Sequence, residues 1–260
     1  MAQYSVNRNA HHNASNSDLH EIMLLADKDG NIINSFGSAS NIPIAAGVVD
    51  GYGHINKFGF TGTDVNGTAT VWDGNGTTAL YPYPAAGTVS VSGATSADDG
   101  KTIEIQGLDA SYNPQIVTTT VGGTTTETFS RVFRARMVSA ENTVVITINQ
   151  GGALAARIGA SNGQTLMAVY TIPAGKTGYL LKIQGSSDKS AAVKFKLYAR
   201  AFGEAFNLKG QWGIGGGNAV DYDYPVPLKF TEKTDIKVDV TTGSTSGCGA
   251  IFDIILVDNS

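Results

Sequence analysis

The chain is short of charge. Only 15% of its 260 residues are Asp, Glu, Lys or Arg, against about 25% in an average soluble domain. Long helices draw on Glu, Lys, Leu and Ala for their exposed faces, so few are expected. Cysteine is almost missing, and the single Cys248 excludes an internal disulfide framework and any zinc cluster built on cysteines. Nor is there a basic excess. The net charge of -4 leaves no electrostatic footprint for nucleic acid. No run approaches the roughly 18 apolar residues of a membrane helix. The opening MAQYSVNRNAHHNASNS also lacks the apolar segment of a secretory signal. We therefore expect a chain made in a cytosol, without nucleic-acid or membrane partners.

What is abundant is glycine, at 32 residues, together with Thr, Val, Asn and Ser. Thr and Val favour strands, while Gly and Asn favour the turns between them. The expected fold class is all-β: two antiparallel, jelly-roll-like β-sandwich domains preceded by an extended N-terminal arm and hairpin. Residues 1–20 are polar and aperiodic, as in an arm that orders only against a neighbour. In EIMLLADKDGNIINSF, two apolar runs flank Asp27-Lys28-Asp29-Gly30, which is a hairpin signal. A calcium loop would need a third oxygen ligand and a later bidentate Glu, both missing. We divide the chain into 1–54 (arm, hairpin and linker), 55–149 (first sandwich) and 150–260 (second sandwich).

Between 55 and 149, expected strands cover 55–60, 68–72, 89–92, 101–106, 115–121, 129–138 and 143–149, with glycine-containing turns between most of them. A spacing near ten residues suits a sandwich or barrel. After an adaptable GGALAARIGASNG stretch, the second part alternates clearly. In VKFKLYARAF, Lys194, Lys196, Tyr198 and Arg200 face away from Val193, Phe195, Leu197 and Ala199, giving one buried and one solvated face. TDIKVDV alternates in the same way.

Residues able to carry chemistry are few and scattered. Glu104 lies in the strand TIEIQ, and Asp109 follows Gly107 in the turn GLDASYNP. A glycosidase pair must converge to about 5–10 Å, and strand alternation does not bring these two together. His11, His12 and His20 lie in the polar arm and His54 in the linker, without the carboxylate spacing of a metal site. Cys248 sits between glycines with no histidine nearby. The GIGGG segment at Gly213 lacks the lysine and helix of a phosphate loop. No enzyme activity, cofactor or metal is expected.

The remaining candidates are contact residues. Trp212, Tyr222 and Tyr224 are aromatics beside acidic residues. Such groups stack on sugars, anchor interfaces, or pack at a sandwich edge. The Tyr81–Pro84 segment YPYP has the same alternatives. Arg131, Arg134 and Arg136 in SRVFRARMV form the basic cluster, with Arg134 and Arg136 on one strand face opposite Phe133 and Ala135. That face is either solvated or pairs with an acidic patch on a neighbour. His11 and His12 in the arm are further contact candidates.

The segments FGFTGTDVNGTATVWDGNGTTALYPYP, IEIQGLDASYNPQ and FSRVFRARMVS together resemble small virion structural proteins of tailed bacteriophages, marine and cyanobacterial ones in particular. The likeness spans about residues 55–150 and rests on a W-D-G segment, an I-x-G-L-D-x-x-Y strand and turn, and a basic aromatic strand. It implies a non-enzymatic assembly protein of the virion. The partners expected are copies of itself as a trimer, and a major capsid protein or another virion protein. A capsid decoration protein is the leading expectation. A tail, neck or receptor-facing component is one alternative, and a carbohydrate-binding module with a Trp212–Tyr222 platform is another.

Overall fold

The computed structural model of the chain describes residues 25–26, 32–33, 41–47, 49–189, 192–215 and 218–259. They fall into two units, Met1–Pro43 and Ile44–Ser260. In the first, β1 (Leu25–Ala26) pairs antiparallel with β2 (Ile32–Ile33). This is the hairpin expected from the flanking apolar runs. Its turn residues, like His11 and His12, lie outside the described residues.

The second unit opens with β3 (Tyr52–Phe60) and β4 (Val65–Thr70). Six strands follow: β5 (Val89–Gly93), β6 (Thr102–Leu108), β7 (Pro114–Thr120), β8 (Arg131–Met137), β9 (Ile146–Gln150) and β10 (Ala153–Ile158). The chain then runs through β11 (Val169–Thr171), β12 (Lys176–Ser187), β13 (Val193–Arg200) and β14 (Asn207–Ile214). It ends with β15 (Ala219–Phe230), β16 (Asp235–Ser246) and β17 (Cys248–Asp258).

One sheet has the order β15-β12-β17-β3. A second has β14-β13-β16, with β11 and β4 pairing end to end along the far edge of β16, β11 at Asp235–Lys237 and β4 from Asp239 onward. All pairs are antiparallel. Leaving aside the three-residue β11, strands β3, β4 and β12–β17 make an eight-stranded jelly roll of two four-stranded layers. Val193, Phe195, Leu197 and Ala199 of β13 point inward, as their alternation with Lys194, Lys196, Tyr198 and Arg200 predicts. They meet Ile183, Val238, Val240, Phe252 and Ile254 in the roll's core. Each large side chain buried there contributes about 1.5–3 kcal/mol.

The six strands β5–β10 are an insert between the second and third strands of the roll. They form two three-stranded sheets, β10-β9-β5 and β7-β6-β8. Their own core holds Trp72, Phe129, Ile103, Ile105, Ile146 and Ile148, all fully buried. The insert leaves the roll after Thr70, opposite Asp239, and returns at Val169, opposite Lys237.

This arrangement differs from a division at residue 150. That position falls in the β9–β10 hairpin, Gln150 opposite Ala153, and β3 and β4 belong with the C-terminal strands. Alternation marks a strand without naming its partner. The partners of β3 lie nearly 200 residues away, as in Tyr52 opposite Val257.

The polar face of β16 also departs from expectation, because Asp235, Lys237 and Asp239 are all buried. The segment from Tyr81 to Tyr83 covers them. Tyr81 N donates to Thr70 Oγ1 at 3.0 Å, Tyr81 Oη donates to Val132 O at 3.1 Å, and Tyr83 Oη reaches Ile236 O at 3.5 Å. The YPYP segment thus packs between the insert and the roll, which settles its alternatives in favour of a buried seam.

Candidate functional site

The seam is shaped by an irregularity in β8. Gln106 of β6 stands opposite Arg134, but the next residue, Gly107, stands opposite Val132, so Phe133 is an extra residue in a β-bulge. Gly107 is required there, since a Cβ would lie 2.1 Å from Arg131 O. The bulge turns Phe133 away from the insert's core toward that of the roll, with its ring 4.9 Å from Tyr170. It also frees the Phe133 carbonyl from the ladder, and the buried ammonium of Lys57 donates to it. Phe133 therefore does not share a face with Ala135, as plain alternation would require.

One residue before Val132, Arg131 lies across the seam from Asp235. Arg131 Nε and Nη2 donate to the two Asp235 carboxylate oxygens at 2.8 and 2.9 Å. Arg200 Nε donates to Oδ2 at 2.8 Å, and Thr171 Oγ1 donates to Oδ1 at 2.6 Å. One buried carboxylate thus joins the insert (Arg131) to three strands of the roll. Burial works against the Arg131 charge, but Asp235 outweighs it and holds the guanidinium above its ordinary range. Arg131 and Arg200 lie 5.5 and 4.6 Å from the Tyr83 ring, and Arg200 lies 4.5 Å from Phe206. Desolvated stacking of this kind is worth up to about 2 kcal/mol per pair. Burial and the nearby Asp235 push the Tyr83 hydroxyl well above its ordinary pKa.

Beside this triad opens a cleft of about 310 Å³. Tyr112 and Phe202, in edge-to-face contact with centroids 5.6 Å apart, together form one wall. Lys233 Nζ sits 5.8 Å from the Tyr112 ring and 5.5 Å from Phe202. Glu204 is on the rim. The turn that presents Tyr112 is the one around Asp109. Its carboxylate accepts from Ser111 N and Asn113 N at 2.8 Å each, bonds that hold it below its ordinary pKa. The I-x-G-L-D-x-x-Y pattern thereby acquires a physical account: Gly107 permits the bulge, Asp109 builds the turn, and Tyr112 lines the cleft.

The basic cluster of β8 splits into three environments. Arg131 is paired within the chain and is not on a solvated face, because the bulge aims it at the roll. Arg136 makes a two-pronged pair with Glu104 at 2.8 Å on both oxygens, which keeps that carboxyl low. Arg134 lies 5.8 Å from the Phe58 ring. Glu104 is thus a cross-strand ion-pair partner and Asp109 a turn residue.

Trp212 of β14 and Tyr224 of β15 are half-buried against the roll's core. Tyr222 remains exposed, 6.2 Å from Trp212 at 46° and 4.9 Å from Tyr224 at 88°. The three rings form a tilted ladder across the mouth of the sandwich rather than a flat platform. Asp235, Arg200, Lys233, Tyr112 and Phe202 were not among the contact candidates. Arg200 and Asp235 carried a faint signal as charges on the polar faces of alternating strands, but only the fold brings them to Arg131. Among the described residues, no three His, Cys, Asp or Glu side chains are grouped to hold a metal ion.

Neither a family model nor a curated protein matches the chain. Matching solved structures include infectious bursal disease virus Gt strain, at 12% identity and a TM-score of 0.23, covering 76% of this chain and 57% of that one. The VP2 subviral particle of the same virus matches at 11% identity and a TM-score of 0.17, with coverages of 76% and 62%. The chain therefore spans only about three fifths of the length of these structures' chains.

Proposed function

We propose that the chain is a non-enzymatic structural subunit of a virion, a capsid decoration protein of the kind found on tailed phages. The supporting observation is the flank formed by β14 and β15. Each pairs with a neighbour on one side only, β14 with β13 and β15 with β12. Both carry exposed apolar side chains: Leu208 at 51%, Val226 at 80% and Tyr222 at 42%. Unpaired edges bearing such residues invite aggregation unless a partner covers them. Association with further copies of the chain, as a closed trimer, covers them without leaving new edges. Jelly rolls serve in capsids among other settings, and a chain with one buried cysteine, Cys248, draws durability from such contacts rather than from disulfides. Residues 1–40 supply the anchoring arm to the capsid.

The test is the mass of the purified chain in solution, alongside add-back to stripped capsids. A three-chain species that rebinds capsids is expected, and Val226→Asp with Leu208→Asp reduces it to a folded monomer. Deleting residues 1–20 abolishes rebinding but not folding. A wild-type monomer at micromolar concentration sinks the reading, and a ring bound only at the portal vertex moves the protein to the neck or tail.

A further inference from the structure

The cleft beside the Tyr112–Phe202 pair gathers strained and exposed residues. Four non-glycine residues among those described have a left-handed backbone, and two of them, Tyr112 (φ 68°) and Lys233 (φ 59°), face this cleft. Such conformations cost of order 1–3 kcal/mol each and gather where a ligand is held. Phe202 is 63% exposed although it sits in a concave wall. Among the described residues, no carboxylate lies within ion-pairing distance of Lys233, so its ammonium faces the cleft uncompensated.

Counting charges selects the ligand. Arg131, Arg200 and Lys233 contribute three positive charges, and Asp235 and Glu204 contribute two negative ones, leaving a single positive charge. A monoanion neutralises it, whereas a phosphate monoester carries nearly twice the charge and would press against Glu204. Asp235 already occupies most of the inward donors of both arginines, so Lys233 is the group free to meet an incoming carboxylate. Glu204 offers acceptors, and the exposed ring of Phe202 offers flat apolar contact. A volume of about 310 Å³ stands at the small end of ligand pockets and suits one ring-sized group rather than an extended peptide. Carboxylate, hydroxyl donors and an apolar ring face occur together in acidic sugars.

We infer that this cleft binds a carboxylated saccharide unit of the uronic or sialic acid class: Lys233 pairs with the carboxylate, the sugar ring packs on Phe202, which Tyr112 backs edge-on, and Glu204 accepts from its hydroxyls. The assignment is independent of the assembly role, since the β14–β15 flank contributes no residue to it.

The experiment uses the full chain and ligand-observed saturation-transfer NMR with glucuronate and N-acetylneuraminate, with glucose and an Asp-rich hexapeptide as controls. Saturable binding of the acidic sugars in the millimolar range is expected, weakening as salt is raised. Lys233→Gln lowers affinity by about tenfold or more, the scale of one charge-assisted hydrogen bond. Phe202→Ala, at an exposed position that folding tolerates, also weakens binding, and the charge-matched Lys194→Gln leaves it unchanged. Equal transfer to glucose, tighter binding of the hexapeptide, unaltered affinity in Lys233→Gln, or no saturation in the millimolar range would each overturn the inference. Val226→Asp monomers that still bind acidic sugars would separate this site from the fate of the assembly reading.

Discussion

Lys57 makes stability depend on pH in a way that one substitution exposes. It is 6% exposed, and its ammonium donates to the Phe133 carbonyl that the bulge leaves unpaired. Burial, reinforced by the charge of Arg134 and only partly opposed by Asp73, lowers its pKa from 10.5 to about 7. The unfolded chain titrates at the ordinary value, so between about pH 7 and pH 10.5 it binds one more proton than the folded one. Stability therefore rises with pH across that window, by about 1.4 kcal/mol per pH unit and by about 5 kcal/mol in all. Lys57→Met keeps the stem and removes the titration. It also leaves the Phe133 carbonyl without its donor, at a cost of about 1–3 kcal/mol that does not vary with pH. The assay is urea unfolding, followed by tryptophan fluorescence, at several values between about pH 7.5 and pH 10. Relative to the variant, the wild type should gain stability steadily with pH, while other lysines cancel in the difference. Parallel curves would refute the reasoning, because they would mean that Lys57 titrates alike in both states.

Asp73 mirrors this effect. Its Oδ1 has no hydrogen-bond partner among the described residues, and burial raises its pKa from 3.8 to about 7. The folded chain thus holds the extra proton between those values, stability falls as pH rises through them, and Asp73→Asn should flatten that fall in the same unfolding assay. Asp235→Asn weakens the compensation of two half-buried arginines and should cost about 1–3 kcal/mol, read as a lower urea midpoint. Replacing Asp235 and Arg131 together by apolar residues should cost less than the sum of the single changes, measured as a double-mutant cycle. Gly107→Ala drives a methyl into the Arg131 carbonyl and should cost about 1–3 kcal/mol, with broadened signals around Phe133.

The strands were largely legible because their pattern is local. β13 and β16 could be placed from Val193 to Arg200 and from Asp235 to Val240 by alternation alone. β10 escaped because ALAARI reads as part of an adaptable glycine- and alanine-rich stretch, and β14 because NLKGQWGI alternates poorly; the strand character of both comes from partners. β10 is held by β9, and β14 by β13. The seam was not legible at all. One extra residue in β8 reverses the direction of Arg131, and nothing in SRVFRARMV announces a bulge except Gly107 two dozen positions earlier. Likewise, Asp235 reads as a surface charge until the YPYP segment is laid over it.

The insertion between β4 and β11 also sets an order of events during synthesis. Contacts within β5–β10 join residues at most 61 apart in the sheet ladders, as in Val89 with Gln150 on one side, against Thr102 with Thr120 on the other. The roll, by contrast, cannot close until β16 and β17 have emerged to receive β4 and β3. At about 5–20 residues per second, β3 and β4 therefore wait roughly ten seconds or more with their apolar faces unpaired, while the insert can already have folded beside them. High contact order of this kind slows folding and exposes edges. Pulse-labelled hydrogen exchange should show protection first at Val91, Ile105 and Ile148 and last at Ile55 and Ile254. Simultaneous protection at all five would contradict this order, and early protection would mean that the insert acts as a nascent-chain nucleus on which the roll is later assembled.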